Sequence, residues 1–493
     1  MHKHLRIALA TAAAATLTGG LLTFTAVSAV AADSATVPQA DFNGDGIGDV
    51  AFSASGSYVS GHKAAGQVVA LYGTSTGVSS AKRSVFSQNS SGVPGTAEAG
   101  DAFGAETAYA DFNGDGYDDL AVSAPDEKVG TDVNGGTLAV MWGSASGLTG
   151  KAVTIPDPSV SGHDFWGKNL AAGDFDGDGR DDLAVGSSSS TIYVYKGGIS
   201  TTGTAVGGRS TVKPAIQSGG DARGPMNLTA GDVNGDHMTD LVVDGYETET
   251  DYGWNTNYWL PGTASGLSVA SAQALKPGVI TAIGDVNGDG FGDVVSGAYW
   301  NKETLEDGTT VPDSALGGEV HVTYGSASGP AQTAGITQET SGVPGSSEED
   351  DFFGYELDLG DVNGDGYQDL IVGSAGEDLG GVDDAGSLTV LYGSSAGVRT
   401  SSGAQFFAQS TAGVPGTDET NDALGAEVKL DDVNGDGKAD LLAGSYENSG
   451  NGSVLYMPSD GTEITTSGAR TISPSTSGVS TTGTPLFGVN FAD

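Results

Sequence analysis

A nine-residue acidic pattern recurs seven times along this chain of 493 residues, and it is the part of the sequence with the clearest chemistry. The pattern reads Asp-x-Asn/Asp-Gly-Asp-Gly-x-x-Asp. Its copies, called here the aspartate loops 1–7, begin at Asp41, Asp111, Asp174, Asp232, Asp285, Asp361 and Asp432. Oxygen donors stand at positions 1, 3, 5 and 9, and the glycines let the backbone coil tightly around them. Such a coil suits a hard cation, for which calcium is the usual choice.

Each loop is predicted to supply the side chains at positions 1, 3, 5 and 9 and the backbone carbonyl at position 7, an atom that EF-hand loops also use. The pattern argues against an EF-hand itself, because the loop closes with Asp at position 9 and a strand-like run follows at once. Up to seven Ca²⁺ ions are therefore expected. The predicted ligands are Asp41, Asn43, Asp45, Ile47, Asp49, Asp111, Asn113, Asp115, Tyr117, Asp119, Asp174, Asp176, Asp178, Arg180, Asp182, Asp232, Asn234, Asp236, Met238, Asp240, Asp285, Asn287, Asp289, Phe291, Asp293, Asp361, Asn363, Asp365, Tyr367, Asp369, Asp432, Asn434, Asp436, Lys438 and Asp440.

The main alternative is a set of turns without metal, since Asn, Asp and Gly favour turns on their own. That interpretation suits one copy better than seven, because three or four carboxylates crowded without a cation repel each other. The fourth copy is imperfect, with His237 in place of the glycine at position 6. All its side-chain oxygens remain. We therefore expect weaker Ca²⁺ binding there, with His237 as a left-handed residue on an exposed loop rather than a ligand.

The composition indicates the compartment and excludes some partners. The chain has 63 acidic and 19 basic residues, a formal net charge of −44, and no cysteine. A surface this acidic repels phosphate backbones and anionic lipid head groups, so binding to nucleic acid or to anionic membrane surfaces is not expected. Membrane insertion is not expected either, because no apolar run after the N-terminal stretch is long enough to span a bilayer. A basic start, an apolar stretch and small residues at Ala29 and Ala31 predict a secretory signal peptide over residues 1–31. A secreted, extracellular monomer is the simplest interpretation.

Each aspartate loop belongs to a repeat of about 65 residues that contains four strand-like runs. One run follows the loop directly, and a later one ends in an aromatic residue and Gly, as in residues 66–73, 318–325 and 386–393. These runs are rich in β-branched and aromatic residues, which favour strands. The repeats predict an all-β fold, a seven-bladed β-propeller of four-stranded antiparallel blades, with the loop between the first and second strand of each blade.

The two ends of the chain predict how the ring of blades closes. The segments leading into the loops begin with Phe-Gly or a variant, as at Phe103-Gly104, but the first repeat lacks this element. A spare copy stands at the end of the chain, at Phe487-Gly488. We therefore expect residues 32–493 to form one propeller in which the strand 486–493 completes or flanks the first blade. The alternative is a frayed tail that merely resembles the repeat.

These motifs together resemble the FG-GAP repeat. The resemblance rests on Phe103-Gly104 and Phe353-Gly354, on the aspartate loops, and on the Ala124-Pro125 pair that follows the second loop. It covers nearly all of the chain after residue 31. The resemblance implies a propeller like the head of integrin α subunits, with bound calcium and a ligand-binding face opposite the calcium loops. All seven repeats carry the loop, and this is more like the bacterial secreted members of the family.

Aromatic residues cluster in the variable loops expected on the opposite face. Tyr246, Tyr252 and Trp254 belong to the fourth repeat, Tyr299 and Trp300 to the fifth, and Tyr446 to the seventh. Aromatic rings beside carboxylates suit a glycan- or peptide-binding surface, because they offer flat apolar area and hydrogen-bond acceptors. The alternative is that these side chains pack the loops on themselves.

The sequence favours a binding protein over an enzyme without deciding the question. Two Gly-x-Ser-x-Gly matches, at residues 73–77 and 393–397, resemble a hydrolase nucleophile elbow, but no helical pattern follows them. They are interpreted as repeat turns. The expected function is a calcium-dependent extracellular binding or adhesion module for a glycan or protein ligand. The alternative is a secreted hydrolase or lyase acting on a polysaccharide or phospholipid.

Overall fold

Seven antiparallel sheets, numbered here as blades 1–7, make up the β-propeller. The computed structural model describes residues 38–220 and 223–492, so the predicted signal peptide lies outside the described residues. The strands are β1 (Val50–Ala54), β2 (Gln67–Leu71) and β3 (Arg83–Phe86) in blade 1; β4 (Thr107–Ala110), β5 (Asp119–Ala124), β6 (Thr137–Met141) and β7 (Ala152–Thr154) in blade 2; β8 (Leu170–Gly173), β9 (Asp182–Val185), β10 (Ile192–Lys196) and β11 (Gly208–Val212) in blade 3; β12 (Asn227–Gly231), β13 (Asp240–Tyr246), β14 (Asn255–Leu260) and β15 (Gln273–Leu275) in blade 4; β16 (Ile280–Gly284), β17 (Asp293–Ala298), β18 (Glu319–Thr323) and β19 (Thr333–Ile336) in blade 5; β20 (Phe353–Gly360), β21 (Asp369–Ser374), β22 (Ser387–Leu391) and β23 (Gln405–Phe407) in blade 6; and β24 (Glu427–Asp431), β25 (Asp440–Ser445), β26 (Ser453–Met457) and β27 (Arg470–Ile472) in blade 7.

The all-β prediction and the count of seven blades are both confirmed. Within the described residues, helical structure is limited to one 3₁₀ turn, Val269–Ser271, and two short α-helices, Glu447–Gly450 and Pro474–Ser477. We find no helix in this part of the chain with the length and apolar character needed to cross a membrane.

The core lies between the blades, because the middle strands bury both of their faces. In β5 every residue is buried, and successive side chains point to opposite sides. Leu120 and Val122 pack with Phe42 of the preceding repeat. Ala121, between them, packs with Leu170 of the following blade. Because successive side chains of a middle strand point to opposite sides, the strand packs against both neighbouring blades.

Blade 1 has three named strands, and the C-terminal segment lies beside β1 in the position of a fourth. The Ser53 N–H donates to the Asn490 carbonyl at 2.8 Å, and the Ala492 N–H donates to the Ala51 carbonyl at 2.9 Å. The ring of Phe487 is fully buried and packs edge-on against Phe52, with 4.8 Å between ring centroids. These contacts support the predicted closure by residues 486–493, which stays a prediction together with the domain boundaries.

The aspartate loops lie side by side on one end of the propeller. In six junctions the N–H at position 8 of one loop donates to the carbonyl at position 1 of the preceding loop. The bonds run from Asp118 to Asp41 (3.2 Å), Thr239 to Asp174 (2.9 Å), Gly292 to Asp232 (3.1 Å), Gln368 to Asp285 (3.0 Å), Ala439 to Asp361 (2.9 Å) and Gly48 to Asp432 (3.0 Å). The last bond joins loop 1 to loop 7, so the two ends of the ring meet at this belt.

Candidate functional site

In blades 2–7 each aspartate loop connects the first and second strands, as the sequence predicts, and loop 1 leads directly into β1. Loop 2, for example, leaves β4 at Ala110 and enters β5 at Asp119. The glycines at positions 4 and 6 hold the coil that the pattern requires: Gly114 has a φ of 73° and Gly116 a φ of 88°. Side chains other than glycine are strained in this left-handed region, and this explains why the two positions are glycine.

The carboxylates at positions 1 and 5 turn into the loop and accept its backbone N–H groups. In loop 2, Asp111 Oδ1 accepts from Gly114 at 2.8 Å and from Asp115 at 3.0 Å, while Oδ2 accepts from Gly116 at 2.8 Å. Asp115 in turn accepts the N–H of Tyr117 at 3.2 Å. The same bond from position 7 to position 5 occurs in all seven loops. These bonds fix the side chains at positions 1 and 5 within each loop.

The aspartate at position 9 is fully buried in every loop. Its Oδ1 accepts a backbone N–H just beyond the third strand of the same blade. The pairs are Asp49–Gly73 (2.9 Å), Asp119–Gly143 (2.9 Å), Asp182–Gly197 (2.7 Å), Asp240–Gly262 (2.8 Å), Asp293–Gly325 (2.9 Å), Asp369–Gly393 (2.8 Å) and Asp440–Ser459 (2.9 Å). This residue thus ties the loop to the rest of its blade.

Burial makes ionisation of these seven aspartates costly without a counter-ion. Desolvation is the main cause in each case, and nearby loop carboxylates add to it. The pKa of Asp49 and of Asp119 rises to about 8. The pKa rises to about 7 for Asp182, Asp240, Asp293, Asp369 and Asp440. A bound cation would favour the ionised form in every loop.

Loop 3 shows most directly that these residues fit a hard cation. Carboxylate oxygens of Asp174, Asp176 and Asp178 all lie within 4.8 Å of one another. In addition, Asp176 Oδ1 and Asp182 Oδ2 are buried and have no hydrogen-bond partner among the described residues. Buried oxygens normally find a partner, and a set of oxygen donors with unused lone pairs is what calcium requires.

Loop 4 keeps its shape despite the residue that replaces glycine. His237 has a φ of 67°, and its side chain is 70% exposed, so the predicted left-handed conformation is confirmed. Its backbone N–H donates to Asp232 Oδ2 at 2.8 Å, the contact that glycine makes elsewhere. The backbone of the loop is therefore preserved.

Four of the predicted aromatic residues meet in a cavity of about 240 Å³ between blades 4 and 5. It lies at the end of the propeller opposite the aspartate loops, because the loop between the second and third strands leaves the other end of an antiparallel blade. We call it the aromatic pocket. Its lining is Met226, Tyr246, Trp254, Asn255, Pro277, Val279, Tyr299, Trp300, Val311 and Pro312.

The other two predicted aromatic residues lie outside the lining. Tyr252 is 46% exposed and stacks on Trp254, with ring centroids 4.8 Å apart. Tyr446 of blade 7 packs beside Tyr355 against a small alanine cluster. Tyr355 also contacts Tyr299, at 5.2 Å between ring centroids, and so connects Tyr446 to the pocket wall. The sequence prediction missed Tyr355, although the aromatic pair Phe352-Phe353 nearby could have indicated it.

The surroundings of the aromatic pocket are charged, although its lining is neutral. Glu247 accepts the N–H of Trp254 at 3.2 Å, and Asp307 contacts the hydroxyl of Tyr252. The guanidinium of Arg223 lies 5.1 Å from the centre of the Tyr246 ring. The Trp300 indole N–H donates to the Pro312 carbonyl at 3.3 Å, and this fixes one wall. Tyr258 and Trp259 of the same repeat lie in β14 instead.

A second cavity, of about 500 Å³, lies beside β15 and has a different character. Its lining includes Lys276 and Asp313, which form an ion pair, together with Gln273, Thr323 and Thr333. No aromatic ring lines it. Since the two charges already neutralise each other, this cavity offers less to a ligand than the aromatic pocket does.

The two Gly-x-Ser-x-Gly segments are turns, as the sequence predicts. The N–H of Gly77 donates to the Thr74 carbonyl at 2.6 Å, and that of Gly397 to the Ser394 carbonyl at 2.7 Å. Each turn begins at the glycine just beyond the preceding strand. The N–H of this glycine, Gly73 or Gly393, donates to the aspartate at position 9 of the same blade. Their serines therefore belong to the repeat architecture of the blades.

Family comparisons agree with these repeats. The FG-GAP repeat matches residues 103–141 and 353–391, which end with the third strand of blades 2 and 6 and begin just before the first strand in blade 2 and at its first residue in blade 6. The FG-GAP-like repeat matches residues 174–243, from loop 3 into β13. Two of these segments thus contain a complete aspartate loop with its flanking strands, and the third contains loops 3 and 4.

Curated relatives match over parts of the chain. The sequence is 34% identical to phosphatidylinositol-glycan-specific phospholipase D of Mus musculus over 152 residues, which are 30% of this chain and 17% of the relative. It is 28% identical to integrin alpha-PS2 of Drosophila melanogaster over 247 residues, 46% of this chain and 16% of that one. Integrin alpha pat-2 of Caenorhabditis elegans is 28% identical over 236 residues, which are 43% of this chain and 18% of that relative. The chain thus spans less than a fifth of these relatives.

Proposed function

We propose that this chain, a seven-bladed β-propeller with FG-GAP repeats that is similar in part to integrin α chains, is a secreted, Ca²⁺-binding module that holds an extracellular ligand. The observation that carries the proposal is the division of the molecule into two ends. The aspartate loops, with the carboxylate cluster of loop 3, occupy one end, and an aromatic pocket lies at the other. In this proposal the protein acts as a monomer that binds no nucleic acid and does not insert into a membrane.

Calcium in the aspartate loops would stabilise the propeller rather than contact the ligand. The side chains at positions 1, 3, 5 and 9 and the carbonyl at position 7 would hold it. When bound, the ion supplies positive charge that neutralises the buried carboxylates. Because position 9 also binds the end of the third strand, as Asp119 binds Gly143, ion binding would tighten each blade. A ligand that binds only the folded state raises its stability by mass action.

The lining of the aromatic pocket favours a protein segment over a sugar. Asn255 is the one lining residue with an amide side chain, and charged side chains are absent from the lining. A buried sugar hydroxyl without a partner is costly, whereas proline rings and aliphatic side chains pack well on aromatic walls. The exposed acidic groups outside, among them Glu249, Asp251 and Glu306, complement basic residues beside such a segment. A glycan is the second candidate ligand.

The test is a binding screen with a matched pair of variants. Trp254→Ala removes a pocket wall. Trp142→Ala removes a half-buried tryptophan at the aspartate-loop end of blade 2. We expect the wild type and Trp142→Ala to bind the same extracellular proteins or oligosaccharides in calcium, and Trp254→Ala to lose binding at least about tenfold, as a truncated aromatic anchor does. Equal binding by both variants would contradict the proposed site.

The alternative function is hydrolysis of a phospholipid or polysaccharide. It is favoured by one observation, the 34% identity to a phospholipase D, over a segment that covers 17% of that relative. Purified protein should be incubated in calcium with glycosylphosphatidylinositol-anchored substrate, phosphatidylcholine vesicles and a panel of polysaccharides. We expect no turnover above a heat-denatured control. Turnover that survives purification to homogeneity would favour the enzyme instead.

A further inference from the structure

Blade 3 differs from the other six blades at one residue of its aspartate loop and at one residue of the strand that ends beside that loop. Position 3 is Asp176, where every other loop has asparagine. Lys196 precedes Gly197, the residue whose N–H binds position 9, and the equivalent residue in the other blades is tyrosine, tryptophan or proline. The two exceptions lie 20 positions apart and belong to the same blade. Their coincidence calls for a physical connection.

The asparagine at position 3 normally supplies a donor that an aspartate cannot supply. In loop 7 the amide of Asn434 donates to both carboxylate oxygens of Asp440 at 2.9 Å, and in loop 2 Asn113 donates to Asp119 at 3.1 Å. A carboxylate at this position can only accept. Asp176 therefore withdraws a donor from Asp182, whose Oδ2 is left buried without a partner, and adds another negative charge.

Lys196 supplies the compensating charge. Its Nζ lies 2.6 Å from Asp176 Oδ2, and the two side chains are 17% and 10% exposed. The pair is shielded enough from water for its attraction to exceed that of an ordinary surface ion pair. The remaining oxygen, Asp176 Oδ1, is buried and unpartnered, as Asp182 Oδ2 is. The ammonium thus neutralises one edge of the loop and leaves other oxygens open.

We propose that Lys196 is a built-in counter-ion of loop 3, which balances Asp176 when the loop holds no Ca²⁺ and is displaced from it as Ca²⁺ binds. The inference rests on the proposed calcium binding by the aspartate loops. Affinity for calcium rises with the number of charged ligands. Four carboxylates would make loop 3 the tightest site, and the competing ammonium lowers that affinity. The same ammonium keeps blade 3 folded when the site empties.

The test is hydrogen exchange resolved by peptide, measured on the full protein across buffered free Ca²⁺ concentrations. The probe is calcium alone, and the readout is the concentration that half-protects the amides of residues 174–182. The other loops serve as internal references. Lys196→Met removes the ammonium. Lys213→Met is the matched control, because Lys213 is an exposed lysine that follows β11 in the same blade and belongs to no aspartate loop.

We expect Lys196→Met to lower the half-protecting concentration in loop 3 by about fivefold or more and to leave the other loops unchanged, since an ion pair no longer competes. In chelator the same variant should exchange faster in loop 3 than the wild type does. Asp176→Asn combined with Lys196→Met removes both charges, so its loop 3 should behave like the asparagine loops. Lys213→Met should leave the midpoints of loop 3 and of the other loops unchanged.

The outcomes separate this proposal from the proposed function. If no loop gains protection in calcium, calcium binding itself is wrong and the role of Lys196 falls with it. If the other loops respond but Lys196→Met leaves the loop 3 midpoint unchanged or raises it, only the counter-ion is overturned. Should Lys196→Met fail to fold in chelator, the double variant decides: the proposal requires it to fold, and its failure would refute the proposal.

Discussion

At the residue scale, burial of the aspartate at position 9 has one stabilising and one destabilising effect. Its burial secures a hydrogen bond to the end of the third strand, as between Asp119 and Gly143. The same burial disfavours its charge, because a carboxylate loses its hydration there. The conflict is resolved when a cation lies beside the carboxylate. Two predictions follow from this balance.

The first prediction concerns pH. The pKa of Asp119 is about 8 in the folded protein against an ordinary value of 3.8, so the folded state holds the proton more tightly than the unfolded state does. The stability that these aspartates contribute without metal is present at low pH and is lost as pH rises through 7 to 8. In chelator the melting temperature should therefore fall between pH 5 and pH 8.5.

Saturating calcium should reverse that trend, because the ion binds the ionised carboxylates. The difference in melting temperature between calcium and chelator is expected to widen as pH rises over this range. Differential scanning calorimetry in matched buffers measures it. A difference that stays constant with pH would show that the position 9 carboxylates are not coupled to the ion.

The second prediction compares two substitutions at Asp119. Asp119→Asn keeps an oxygen for the Gly143 N–H and removes the charge, so this variant should be more stable than Asp119→Ala in chelator at pH 8. Asp119→Ala leaves that buried N–H without an acceptor and should cost about 1–3 kcal/mol in unfolding free energy. Urea denaturation in chelator measures both. Equal stabilities of the two variants would rule out the hydrogen bond as a stabilising contact.

At the scale of the element, the loops show how a short pattern can specify its own conformation. Side-chain acceptors at positions 1 and 5 and left-handed glycines at positions 4 and 6 lie within nine residues, so local sequence suffices to predict the coil. The aromatic pocket is different, because its walls come from two blades. Tyr246, Trp254, Tyr299 and Trp300 are predicted from their place in the variable loops, but Pro277 and Pro312 carry no signal before their neighbours are known.

Loop 4 gives a prediction at this scale. His237 pays a conformational penalty with its φ of 67°, and its exposed side chain has little packing to lose. His237→Gly should stabilise the protein by roughly 0.5–1 kcal/mol. This value is the free-energy cost of the left-handed conformation that glycine avoids, reduced by the larger conformational entropy that glycine gives the unfolded chain. Gly116→Ala, at the same position of loop 2, should destabilise by a similar amount. Denaturant unfolding measures the stability of both variants, provided that the dependence of the unfolding free energy on denaturant concentration stays the same. A His237→Gly variant less stable than the wild type would contradict the argument.

At the scale of the whole molecule, two separate features join the ends of the ring. The Gly48 N–H bonds to the Asp432 carbonyl in the belt of loops, and residues 488–492 run beside β1. A closed ring leaves fewer exposed strand edges, which are sites of aggregation. The acidic surface, with a formal net charge of −44, opposes self-association further.

The closure can be tested at Phe487, which is fully buried against Phe52. Phe487→Ala should lower the free energy of unfolding by about 3–5 kcal/mol, as a buried aromatic truncation does. Val206→Ala, at a side chain that is 62% exposed, is the control and should change little. Chemical denaturation in calcium measures both variants. A loss below about 1 kcal/mol for Phe487→Ala would mean that the C-terminal segment does not hold the ring together.

The sequence alone determined the repeat, the strand order within each blade and the residues of the aspartate loops, because all of these depend on contacts within a few residues or on a pattern repeated seven times. Only the tertiary structure decided which side chains meet across blades. It separated Tyr446 from the aromatic pocket, and it brought Lys196 to Asp176. Such contacts depend on the angle and spacing of neighbouring sheets, which no local pattern encodes.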